Sequence, residues 1–180
     1  MLIVLIIVIA VLAGWCIATY NSLVSSRALV EEAYSSMDVY LKKRSDLVPN
    51  LVEAVKGYMG HEESTLKEIV ELRNSAVSAD RAGAPEAQAR LGEGIGKLFA
   101  LAENYPELKA DTQFTQLQQS LRAIEDDIAQ ARKYYNGAVR TFNTAIKRFP
   151  ASIIASRKGF FEYAYYQTDE ESRQNVKVQF

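Results

Sequence analysis

Helix breakers and reactive side chains are both scarce in this chain. Four prolines and nine glycines are spread over 180 residues, with one histidine and one cysteine. So few breakers leave long uninterrupted stretches, and alternating β-branched runs are missing beyond the N-terminal segment, so the soluble part is expected to be all-helical. A single cysteine, Cys16, excludes an intramolecular disulfide. Excess charge of one sign is lacking too: 21 basic and 22 acidic side chains give none of the basic surplus that nucleic-acid binding requires. No nucleic-acid partner is expected.

Residues 1–26 carry no charged side chain, and the run MLIVLIIVIAVLAGWCIAT is apolar almost throughout. A helix rises about 1.5 Å per residue against a hydrocarbon core of about 30 Å, so roughly 20 apolar residues suffice to cross it. Trp15 and Tyr20 fall towards the far end, where amphipathic rings favour the headgroup layer. A cleaved signal would need a basic stretch ahead of the apolar run, and none precedes Leu2. A lipoprotein box at Cys16 would need a small residue where Trp15 stands. The reading is an uncleaved anchor over residues 1–24, with a bundle domain over 25–161 and a polar tail over 162–180. Basic residues on short flanks stay in the cytoplasm, and Arg27, Lys42, Lys43 and Arg44 all follow the span. That predicts a single-pass protein of the cell membrane, N-terminus outside and bundle domain cytoplasmic.

Periodicity places four helices. The first continues the anchor through Leu23, Val30, Ala33, Met37, Leu41, Val48, Leu51, Val55 and Met59, spaced as one helical stripe. Pro49 is expected to kink it near residues 45–49, and Gly57 and Gly60 to end it. A second helix over 61–79 should turn Leu66, Ile69, Val70 and Val77 inward. A third, over 85–103 with Pro85 in its first turn, carries Leu91, Ile95, Leu98 and Ala102. The fourth runs from a Thr112 cap through Phe114, Leu121, Ile128, Tyr135, Phe142 and Phe149 to Pro150. The fold class is therefore all-α: an N-terminal transmembrane helix continuing into an antiparallel bundle of two long and two short helices.

YNSLV (20–24), YLKKRSDLVPNLVEAVKGYMGHE (40–62), ENYPELKA (103–110), RKYYNGAVRTFNTAIKRFP (132–150) and GFF from Gly159 together resemble the LemA family of bacterial membrane proteins. The resemblance extends over nearly the whole chain. It implies one N-terminal membrane helix, a small external N-terminus and an antiparallel helical bundle, and it implies no enzyme activity.

Motifs for catalysis fail one by one. His61-Glu62 opens like a zinc-protease signature, but Thr65 stands where the second histidine belongs. The bland reading is a helix start favouring acidic residues. Gly92 to Lys97 resembles a phosphate loop, yet Leu91 and Leu98 occupy positions that need glycine and Ser or Thr, and close helix packing at Gly92 and Gly96 is the simpler reading. Asn21, Asn136 and Asn143 adjoin aromatic core positions and are read as fixing register between helices. No cofactor, no metal and no catalytic residue is assigned, and the chain is read as non-enzymatic.

Helix length bears on assembly. The first and fourth helices would each approach 60 Å beyond the anchor, about twice the other two, leaving a two-helix stalk beside the membrane. One partner helix would not cover Val30, Met37, Ile128, Tyr135, Phe142 and Phe149, so lateral homo-oligomerisation is expected. Antiparallel pairing with residue numbers summing to about 170 sets Arg44 near Glu125 and Asp126, and Asp38 near Arg132. The same topology returns Lys147, Arg148, Arg157, Lys158, Phe160 and Phe161 to the membrane lipid; the alternative is that these apolar residues cap the base of the bundle. The functional reading is a self-associating membrane scaffold or adaptor. The rival is a regulatory partner of another membrane protein, such as a protease or transporter.

Overall fold

A computed structural model describes residues 1–60 and 62–167, and among them it contains helices and no strand. In chain order these are α1 (Leu2–Lys56), α2 (Glu63–Ser78), α3 (Ala84–Ala102), α4 (Pro106–Ala110), α5 (Thr112–Lys147) and α6 (Ala151–Lys158). The two long and two short helices of the sequence are present, with the short α4 between α3 and α5 and the short α6 after α5. His61 and the polar residues 168–180 lie outside the described residues. The described residues divide into two compact units: residues 1–37 with 130–165, and residues 38–129 with 166 and 167.

The second unit is a helical bundle. Val48, Leu51 and Val55 of α1, Leu66 and Ile69 of α2, Leu91, Ile95 and Leu98 of α3, Leu108 of α4 and Phe114 and Leu121 of α5 form one buried cluster. On α2 the inward stripe is Leu66, Ile69 and Ala76, while Val70 and Val77 are exposed, contrary to the sequence expectation. The close approach of α2 and α3 is at Gly94 rather than Gly92 or Gly96. A methyl group built on Gly94 would sit 2.8 Å from Leu72 Cδ1, whereas Gly96 faces open space and Gly92 makes room for the Arg44 guanidinium at 3.2 Å.

Pro49 lies within an unbroken α1. Its missing N–H leaves the Ser45 carbonyl without the usual helical donor. Arg73 of α2 takes over, its Nε donating to that carbonyl at 3.4 Å. The cap of α5 is Asp111, not Thr112. Asp111 Oδ1 accepts from the Phe114 N–H at 2.8 Å, and Thr112 is already the first helical residue. That backbone donor, with the Tyr58 hydroxyl donating to Oδ2 at 3.1 Å, holds the Asp111 carboxyl below its ordinary pKa despite some desolvation.

In the first unit, α1 and α5 bury Leu23, Val30, Ala33 and Met37 and Tyr135, Ala138, Val139 and Phe142 respectively. After Pro150 comes α6, which ends at Gly159 in the left-handed region at φ 70°. The Phe160 N–H closes back on the Ala155 carbonyl at 3.1 Å, a turn that favours a residue without a Cβ. Residues 160–167 follow in no regular element. Asn143, 6% exposed, accepts from the Tyr163 N–H at 3.0 Å and donates to the Tyr163 carbonyl at 2.9 Å, so one side-chain amide satisfies both backbone groups as a neighbouring strand would. The Tyr135 hydroxyl donates to the Ala164 carbonyl at 2.9 Å. Residues 160–165 thus strap the α1–α5 pair.

Candidate functional site

That strap changes the meaning of the stalk residues. Val30, Met37, Ile128, Tyr135 and Phe142 are all under 5% exposed within a single chain. These five therefore have cover within the chain, which helix lengths alone did not supply. Phe142 meets Phe160 and Tyr163 edge-on at ring centroid distances of 6.2 and 5.4 Å. Tyr163 also donates through its hydroxyl to Glu31 Oε1 at 2.5 Å and accepts from Arg27 Nε at 3.3 Å. Burial and then the bond to Glu31 push the Tyr163 hydroxyl pKa up. Nothing in the helical period of α5 signals these partners, since they come from an irregular segment. Asn143 bonds this strap and not a neighbouring helix. Phe149 lies past the end of α5 and is 77% exposed.

The expected opposing pairs divide. Arg44 Nη1 donates to Glu125 Oε1 at 2.6 Å, while Nη2 donates to the Gln88 carbonyl at 2.7 Å and to Gln88 Oε1 at 2.6 Å. Sequence periodicity reaches Glu125 and misses Gln88, a polar residue on the buried face of α3. Asp126 is exposed. Asp38 is exposed and Arg132 half-buried. Arg44 is 4% exposed, so its two terminal nitrogens make their bonds in the interior, where those bonds are stronger and desolvation is costly, and its buried Nε has no partner.

Among the described residues each unit has a concave feature. In the second unit a groove of about 560 Å³ runs between the end of α1 and α2, with Val52, Met59, Leu66 and Val70 in it and Glu53, Lys56, Glu63, Lys67 and Glu71 around them. In the first unit a cleft of about 410 Å³ lies between Trp15, Cys16, Ile17 and Tyr20 of α1 and Ile153, Ile154, Arg157 and Lys158 of α6. Of the residues expected at the membrane surface, Arg148, Arg157, Lys158 and Phe161 are exposed. Lys147 is paired with Glu162 Oε2 at 2.7 Å. Phe160 turns inward, against Tyr20 at 6.0 Å and Phe142. Among the described residues no group of three or more His, Cys, Asp or Glu is placed to hold a metal ion.

The α1 segment that begins the chain has a mean hydropathy of 2.9 over its most apolar 18 residues and buries none of that window, which makes it a candidate membrane span. The LemA family pattern matches residues 33–180. The chain belongs to the LemA family. It is 25% identical over 158 residues to Protein LemA of Metamycoplasma hominis, covering 87% of this chain and 72% of that protein. It is 26% identical over 175 residues to Magnetosome protein MamQ 2 of Paramagnetospirillum magneticum. Magnetosome protein MamQ of Magnetospirillum gryphiswaldense is 25% identical over 174 residues. The chain spans 64% of the length of either MamQ protein. Family membership and the bare apolar helix together describe a membrane-associated LemA-family protein with an all-helical fold.

Proposed function

We propose that this LemA-family protein is a single-pass membrane adaptor, non-enzymatic, whose helical unit 38–129 receives a partner membrane protein in the groove between α1 and α2. The supporting observation is the groove itself. Val70 is 39% exposed beside Val52, Met59 and Leu66, in a recess ringed by five charged side chains. An apolar floor with a charged rim is the usual anatomy of a protein recognition surface. Five of the six residues that a stalk contact would use, Val30, Met37, Ile128, Tyr135 and Phe142, are buried within the chain, so the groove is the better-supported surface.

The experiment places a photo-crosslinking residue at Lys67, 71% exposed on the groove rim, in living cells. A discrete heteromeric adduct is expected, and Val70→Asp, which puts a charge on the groove floor, should abolish it. A ladder of self-adducts insensitive to Val70→Asp would instead make the protein a self-associating scaffold.

The adaptor reading carries an orientation: N-terminus outside, helical units in the cytoplasm. Arg27, Lys42 and Lys43 follow the apolar run, and no basic side chain stands within it. Protease added to sealed spheroplasts should leave the helical units intact until the membrane is permeabilised. Digestion before permeabilisation would reverse the orientation.

A further inference from the structure

The cleft between α1 and α6 joins two features that have no common use in a soluble protein. One wall, Trp15, Cys16, Ile17 and Tyr20, belongs to the end of the candidate span. Trp15 and Tyr20 stand where aromatic side chains mark the boundary between hydrocarbon and headgroups. The other wall is Ile153 and Ile154 of α6, with Arg157 and Lys158 in that helix's last turn. Ile153 is 50% exposed and Trp15 38%, so the apolar walls are open. Both cations are exposed, and among the described residues no acidic side chain lines the cleft.

We propose that this cleft seats one anionic phospholipid of the surrounding bilayer. An acyl chain lies along Ile17, Ile153 and Ile154, and the phosphate meets Arg157 and Lys158. The size suits such a guest, since ligand cavities run from about 300 to 1,000 Å³. Charge selects it, because a guanidinium and an ammonium at the headgroup layer favour an anionic headgroup. A second copy of this chain fits poorly: a two-fold contact would bring the same cations of both copies together with no acid in the lining to offset them. The inference rests on residues 2–20 being a membrane span.

Trp15 is the only tryptophan in the chain, so its fluorescence reports this cleft alone. The full-length protein is reconstituted in phosphatidylcholine vesicles holding a small fraction of either brominated phosphatidylglycerol or brominated phosphatidylcholine. Quenching by the brominated phosphatidylglycerol should reflect roughly tenfold local enrichment. Arg157→Gln with Lys158→Gln should erase that preference. Lys147→Gln with Arg148→Gln, which removes the same charge outside the cleft lining, should preserve it. Equal quenching by the two lipids, or equal loss of preference in the two double variants, would overturn the site in favour of bulk lipid or general surface charge. Trp15 quenched by neither lipid in protein that still floats with vesicles would also overturn it, pointing to protein cover. Failure to float would refute the span itself, and so separates the two readings.

Discussion

Phe142→Ala should lower stability by about 3 to 5 kcal/mol, a fall in Tm of roughly 10 °C, when the detergent-solubilised protein is melted and followed by circular dichroism. Phe142 is fully buried, and its ring is the surface on which Phe160 and Tyr163 rest edge-on. Truncation removes the transfer energy of the ring and leaves a cavity whose walls are set by two rigid helices, so little collapse is available to reduce the cost. The same change should unseat the strap. Trypsin is then expected to cut after Arg157 or Lys158 well before it does so in the parent protein. Phe149→Ala is the control: at 77% exposure it should leave Tm unchanged. A Phe142→Ala loss below about 1 kcal/mol, with the strap still protected, would mean that residues 160–165 do not pack on α5 in solution.

Arg44→Ala should cost about 2 to 4 kcal/mol in chemical denaturation, while Glu125→Gln should cost about 1 kcal/mol or less. The asymmetry comes from exposure. The Glu125 side chain is 46% exposed and is solvated when its partner leaves, whereas the Arg44 side chain is 4% exposed and its loss leaves the Gln88 carbonyl and amide oxygen without their short donor. Such groups cost their desolvation when left unmade. Arg44→Lys should rescue only a small part, since an ammonium does not span Glu125 and both Gln88 oxygens as the planar fork does. Gly92→Ala tests the same site from the other side: its new methyl would stand 3.2 Å from Arg44 Nη1, so it should destabilise the parent and be better tolerated once Arg44 is alanine. Equal losses from Arg44→Ala and Glu125→Gln would show that the fork contributes nothing beyond a surface ion pair.

Much of the fold was legible from local pattern. Spacing gives the stripe from Leu23 to Met59 and the heptads from Phe114 to Phe149, and each position that anchors a heptad is buried except Phe149, which lies past the end of α5. Helical periodicity reports which face of a helix is apolar, and for long helices the signal is repeated often enough to fix it. Short elements carried less information. In α2 spacing turned Leu66, Ile69, Val70 and Val77 inward, but packing against α3 at Gly94 buries Leu66, Ile69 and Ala76 and leaves Val70 and Val77 exposed. The α5 cap went to Asp111, one residue before the Thr112 read from sequence, because either side chain is a competent cap and backbone direction made the choice.

By itself, then, the sequence determined an apolar N-terminal helix, an all-helical fold, and the LemA motifs with their spacing. Tertiary structure alone decided what covers them. Residues 160–165 have no period, since an irregular segment held by Asn143 and the Tyr135 hydroxyl uses side-chain partners that are distant along the chain, and local spacing does not encode distant partners. That segment covers Phe142 and bonds Tyr135, which helix lengths alone left without a partner, while Phe149 stays exposed. Packing also left apolar surface open elsewhere, at the groove beside Val70 and at the cleft beside Trp15, because only packing determines which apolar residues the chain itself does not reach.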